Sequence, residues 1–129
     1  MPRVSAAFFA VGVLCVLTGM LWGMHIGATE NTVSMPAHAH LNLLGWVTMA
    51  LYGTFYALEK DTLSPRLAWT NFVVSATSVV VMIPALAMFL NNGNDPKYIP
   101  YMSAGEGLAV LGVLIFGISV FRELLRRRA

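Results

Sequence analysis

Three histidines, one carboxylate and a few methionines carry the ligand chemistry of this chain, and they sit near the ends of apolar segments. His38 and His40 stand in Met35-Pro-Ala-His-Ala-His-Leu-Asn-Leu-Leu-Gly-Trp46, His25 closes the preceding apolar run, and Glu106 lies in Ser103-Ala-Gly-Glu-Gly-Leu108. Neutral imidazole binds zinc, copper and iron, and thioether sulfur from Met20, Met24 or Met35 favours Cu(I). Ionisable groups within membrane segments are functional candidates by default. Continued as a helix at about 100° per residue, the stretch aligns His38, Asn42, Gly45, Met49, Tyr52 and Tyr56 within about 40° of one direction. His40 points about 200° away, so a regular helix does not bring both imidazoles to one ion.

The elements that position these residues follow from composition. Of 129 residues, 57% are hydrophobic and 11% charged, against roughly 25% charged in an ordinary soluble domain. Four apolar runs, about 4–27, 37–58, 67–90 and 103–124, are long enough to cross the roughly 30 Å of bilayer hydrocarbon. In lipid they must be helices, because each backbone polar group needs a partner within its own segment. The expected fold is all-α, one domain over 1–129, an integral membrane four-helix bundle with the bilayer as its surroundings. Self-association into a homo-oligomer is expected to complete the packing of so small a set.

Charge gives the orientation. Arg3, Lys60, Arg66, Arg122, Arg126, Arg127 and Arg128 fall on one side of a four-pass chain and only Lys97 on the other, so both termini are expected in the cytoplasm. The loops 28–36 and 91–102 then face the periplasmic side of an inner membrane, and the histidines lie toward it. The net charge of +2 is explained by this asymmetry and implies no nucleic-acid partner. The first run is read as a retained helix, since it exceeds the core of a secretory signal and Ile26-Gly-Ala28 is a poor cleavage site.

Finer patterns have plainer readings. Gly19, Gly23 and Gly27 form a small-xxx-small ladder, which suits close helix packing or a flat cofactor. Cys15, Thr18, Trp22 and His25 make a second stripe expected to face the bundle or an oligomer interface; the lone Cys15 reads as a small buried hydrophobe. Asn71, Ser75, Ser78 and Met82 repeat the pattern on the third helix, where small hydroxyls bond to their own helix or a neighbour as modest glue and Asn71 must find a partner. Pro84 is expected to kink that helix or free a carbonyl. Glu106 is expected in the first turn of the fourth helix, either favoured there by the macrodipole or serving as a ligand or ligand support. The histidine cluster with Glu106 and Met24 suits copper or zinc, and His38 with the bare surface of Gly45 suits a haem plane.

The run Pro36-Ala-His38-Ala-His-Leu-Asn-Leu-Leu-Gly45-Trp, followed by Gly53 and Phe55-Tyr56, resembles the second transmembrane helix of subunit I in haem-copper oxidases and nitric oxide reductases, the C-type oxidases above all. There a proline, a histidine and a glycine keep this spacing, and the histidine is an axial ligand of the low-spin haem b. The resemblance implies that His38 is that ligand; the helical stripe places Asn42, Gly45, Met49 and Tyr52 along the same face, where a cofactor is expected to lie. It covers about twenty-five residues strongly and the rest of four helices faintly. The later helices of that subunit, with the copper ligands and the remaining haem ligands, have no counterpart here, so a complete oxygen- or nitric-oxide-reducing centre is not expected.

A second axial ligand would have to come from His25, from Met24, or from His40 or His38 of a neighbouring copy. The expected function is therefore a small cytochrome-b-like protein acting in electron transfer or diatomic-gas binding, with a respiratory-chain redox partner. A copper or zinc site on His25, His38, His40 and Glu106 is the alternative, and a non-catalytic accessory subunit of a respiratory complex is the third. No nucleophile, phosphate loop or cysteine cluster points to soluble-enzyme chemistry.

Overall fold

The computed structural model describes residues 1–127 and is helical almost throughout; Arg128, counted above among the cationic residues, lies outside them. Four helices are long and apolar enough to cross a membrane: α1 (Arg3–Thr29), α2 (Met35–Leu58), α3 (Pro65–Asn91) and α4 (Ile99–Leu125). Local chemistry sets their ends. Glu30 closes α1 in the left-handed region at φ 54°, Pro36 stands in the first turn of α2, and the Ser64 hydroxyl accepts from Leu67 N–H ahead of Pro65.

The helices run a few residues beyond the expected bounds, most of all α4. Asp95 caps a short 3-10 turn at Pro96–Tyr98, accepting from Lys97 N–H at 3.0 Å, and that turn leads directly into Ile99. Glu106 thus lies two turns inside α4 rather than in its first turn, beyond the reach of the unpaired N–H groups at the helix start. Pro84 lies within α3 and α3 continues through it.

Packing divides into two antiparallel hairpins. Helix α1 lies along α2, and α3 lies along α4. Gly105 lets α4 approach the Met82 backbone so closely that a Cβ there would stand 2.8 Å from the Met82 Cα. Joining the pairs is an aromatic cluster near the end that carries both termini. Phe8 stacks on Tyr56 at 5.7 Å and meets Tyr52 and Phe72 edge-on at 5.6 and 5.2 Å. Phe116 brings α4 into this cluster, 4.6 Å from Tyr52 and 5.1 Å from Phe55.

One irregularity lies beside the histidines. Residues Leu41–Val47 of α2 form a π-helical turn, and Thr48 N–H bonds the carbonyl of Leu43, five residues back. The Thr48 hydroxyl donates to the same oxygen at 2.8 Å. The wider turn rotates the two halves of α2 relative to a regular helix. Gly45, Met49, Tyr52 and Tyr56 are therefore buried as one stripe, but His38 and Asn42 sit half-buried at its edge while Ala37 and Leu41 take the buried positions above. Such turns are frequent at functional sites.

Candidate functional site around His38

Helix α2 delivers His38 into the contact with α1. A Cβ at Gly23 would lie 3.0 Å from the imidazole Cε1, and Trp22 meets the ring edge-on at 6.1 Å. One turn deeper, Asn42 fills the space opposite Gly19. The glycine ladder thus serves helix packing, with Gly19 and Gly23 in contact and Gly27 facing open space.

The two polar side chains touch each other. Asn42 Nδ2 lies 3.3 Å from His38 Nε2; with the amide so assigned, Nε2 is the acceptor and Nδ1 carries the proton. That Nδ1 is buried without a hydrogen-bond partner, and so is Asn42 Oδ1. An unpartnered buried donor or acceptor costs about 1–3 kcal/mol, so two in one pair mark a spot where packing alone does not explain the residue types. The α1–α2 contact at this depth holds an imidazole with an unpartnered N–H, an amide and little side-chain bulk on the facing helix.

Gly45 does not offer the flat, open surface expected of it. It is buried against Cys15, and a Cβ at 45 would lie 2.8 Å from both Cβ and Sγ of that residue. The bare surface nearest His38 belongs to α1, at Gly19 and Gly23. Cys15 and Trp22 face α2, whereas Thr18 and His25 are exposed, because the glycines rather than the mildly polar stripe form the contact edge of α1.

His40 is exposed and differently held. Its Nδ1 lies 2.7 Å from the Pro36 carbonyl oxygen, so Nδ1–H donates and Nε2 is left with its lone pair. A backbone carbonyl on Nδ1 is the arrangement that orients a ligating imidazole. His25, Met24 and Glu106 are also exposed. Among the described residues no three His, Cys, Asp or Glu side chains come together closely enough to hold a metal ion. The histidines share one end of the molecule without converging within a single chain.

A second polar group, mostly outside the expected site, is better knit. Asn71 Nδ2 donates to Tyr56 Oη at 3.0 Å, Ser75 Oγ donates to Asn71 Oδ1 at 2.8 Å, and Tyr56 Oη lies 3.3 Å from Ser119 Oγ. Asn71 and Ser75 were legible as polar positions in an apolar run; Ser119 was not, because a lone serine has no period to mark its face. Just beyond, Glu59 is buried although it lies past the end of α2. Burial pushes its carboxyl above the usual range, reinforced by Glu123 and opposed by Arg122 and Arg126.

Compared with known protein families, with curated proteins and with solved structures, the chain matches none.

Proposed function

We propose that this chain is a small integral membrane protein that binds haem b through His38 and works in electron transfer or in binding a diatomic gas. The observation that carries this reading is the His38 imidazole, half-buried between two helices with Nδ1 unpartnered and Nε2 met only by the Asn42 amide. The likeness of the Pro36–Trp46 stretch to the haem-ligating helix of haem-copper oxidase subunit I points to the same residue. Nε2 is the nitrogen with a lone pair to give, and ligation there would require the Asn42 amide nitrogen to turn away from it. Haem b, when bound, supplies the redox-active iron.

The fit is partial on the Gly45 side, which Cys15 closes, and better on the α1 side, where Gly19 and Gly23 place no side chain over His38 and Asn42. Because α1 and α2 touch there, a porphyrin needs their ends to part or needs a second copy to share the site. His40, with Nε2 free and Nδ1 tied to Pro36, is the residue best prepared to act as the second ligand from that copy, ahead of His25 and Met24. We further propose a homo-oligomer in a cytoplasmic membrane, with the end bearing Arg3, Lys60, Arg66 and Arg122 inside by the positive-inside rule. A respiratory-chain protein is the proposed redox partner.

The His40 geometry also favours a second reading, a copper or zinc ion held by His40 and its counterparts between copies. Reduced-minus-oxidised absorption of the detergent-purified protein, with elemental analysis of the same sample, decides. Sharp haem bands that disappear in His38→Ala support the first reading. A colourless preparation carrying near-stoichiometric copper or zinc replaces it with the second. A preparation with neither, after expression with haem and metals supplied, overturns both and leaves a non-catalytic accessory subunit.

A further inference from the structure

Between α2 and α4, floored by α3, lies a small cleft of about 60 Å³ lined by Thr48, Tyr52, Ser75, Ser78, Ala109 and Val113, among others. Four of these residues carry hydroxyls, an unusual density in the middle of apolar helices. Tyr52 is 4% exposed, and among the described residues its hydroxyl has no hydrogen-bond partner. The other three already donate elsewhere: Thr48 to Leu43 O, Ser75 to Asn71 Oδ1 and Ser78 to Ser75 O. Each keeps lone pairs to accept with. The cleft therefore offers one unused donor and three acceptors.

We infer that this cleft is a binding site for ordered water within the membrane span. A water there accepts from Tyr52 Oη and donates to two of the Thr48, Ser75 and Ser78 oxygens, which matches the roughly three bonds a buried water makes. The volume exceeds the roughly 10–15 Å³ that a single water needs. A lipid chain in the same place leaves the phenol unpaired in hydrocarbon, where an unmet polar group is at its most costly. The water site adjoins the Ser75–Asn71–Tyr56–Ser119 group, so the polar interior extends toward Glu59 and Glu123. Both oxygen and nitrogen of the Asn71 amide are engaged in that group, and an amide does not relay protons readily, so the site holds water without opening a proton path. The inference rests on the packing of α2, α3 and α4 and is independent of haem.

The test is water-to-protein magnetisation transfer in the full chain reconstituted in nanodiscs, paired with thermal melting. Cross-peaks from water to Thr48, Ser75 or Ser78 are expected in the wild type. Ala109→Leu, which fills the cleft from α4, is expected to abolish them and lower Tm, and adding Tyr52→Phe is expected to restore part of the lost Tm by removing the stranded hydroxyl. Absence of water cross-peaks in a folded wild type overturns the inference, as do cross-peaks from lipid chains in their place. A rise in Tm for Ala109→Leu also overturns it, since that is the response of a dry void.

Discussion

Gly23 of α1 and His38 of α2 face each other so closely that a Cβ on the glycine would stand 3.0 Å from the imidazole Cε1. Gly23→Leu is therefore expected to destabilise the α1–α2 pair by about 1–3 kcal/mol, the usual range for overpacking. Gly27→Leu, with open space around it, is expected to leave Tm unchanged. Thermal melting of both variants in one detergent checks the contrast. If haem binds on this side, Gly23→Leu also lowers haem content, while Gly27→Leu does not.

Cys15 and Gly45 form the reciprocal contact about two turns deeper. Gly45→Val places new carbons against Cys15 Cβ and Sγ and is expected to cost about 1–3 kcal/mol. Combined with Cys15→Gly, which empties the facing position, the penalty is expected to be less than the sum of the two single changes. A double-mutant cycle by denaturation measures that coupling. Strict additivity would show that the two residues do not meet.

Asn71 joins α3 to Tyr56 of α2. Asn71→Leu removes its donation to Tyr56 and the acceptor for Ser75, while Tyr56 retains Ser119. The expected loss is about 1–2 kcal/mol, toward the upper end of what interhelical bonds contribute in membranes. Tyr56→Phe is expected to cost a similar amount, and the pair together less than twice that. Equilibrium unfolding of the three variants is the measurement.

Glu59 gives a pH dependence with a defined sign. Its folded pKa is raised by burial and by Glu123, against the opposing pull of Arg122 and Arg126, so the folded state holds the proton more tightly than the unfolded chain. The stabilisation is fully present below the ordinary carboxylate pKa and is lost as pH rises through the raised value. Melting across that range is expected to show Tm falling with rising pH in the wild type. Glu59→Gln is expected to flatten this part of the profile.

Much of the architecture was legible in the residues. Four apolar runs dictate four helices, because a chain rich in hydrocarbon and poor in charge has no other way to satisfy its backbone in lipid. The polar positions at Asn71, Ser75 and Ser78 announced an interior face, and the structure buries all three. Gly19 and Gly23 announced a close approach, and α2 makes it.

Only the tertiary structure decided what each glycine meets and which nitrogen of each histidine is free. Gly45 looked like open surface because periodicity gives a direction along one helix but not the side chain that fills it from the next, here Cys15. The π turn at Leu41–Val47 moved His38 and Asn42 to the edge of their stripe, a rotation that arithmetic at a constant angle per residue does not contain. The sequence alone determined that imidazoles gather at one end of a membrane bundle. Packing decided that His38 lies against α1 with an unpartnered nitrogen while His40 turns outward with a carbonyl on Nδ1, because hydrogen-bond partners are set by neighbours in space.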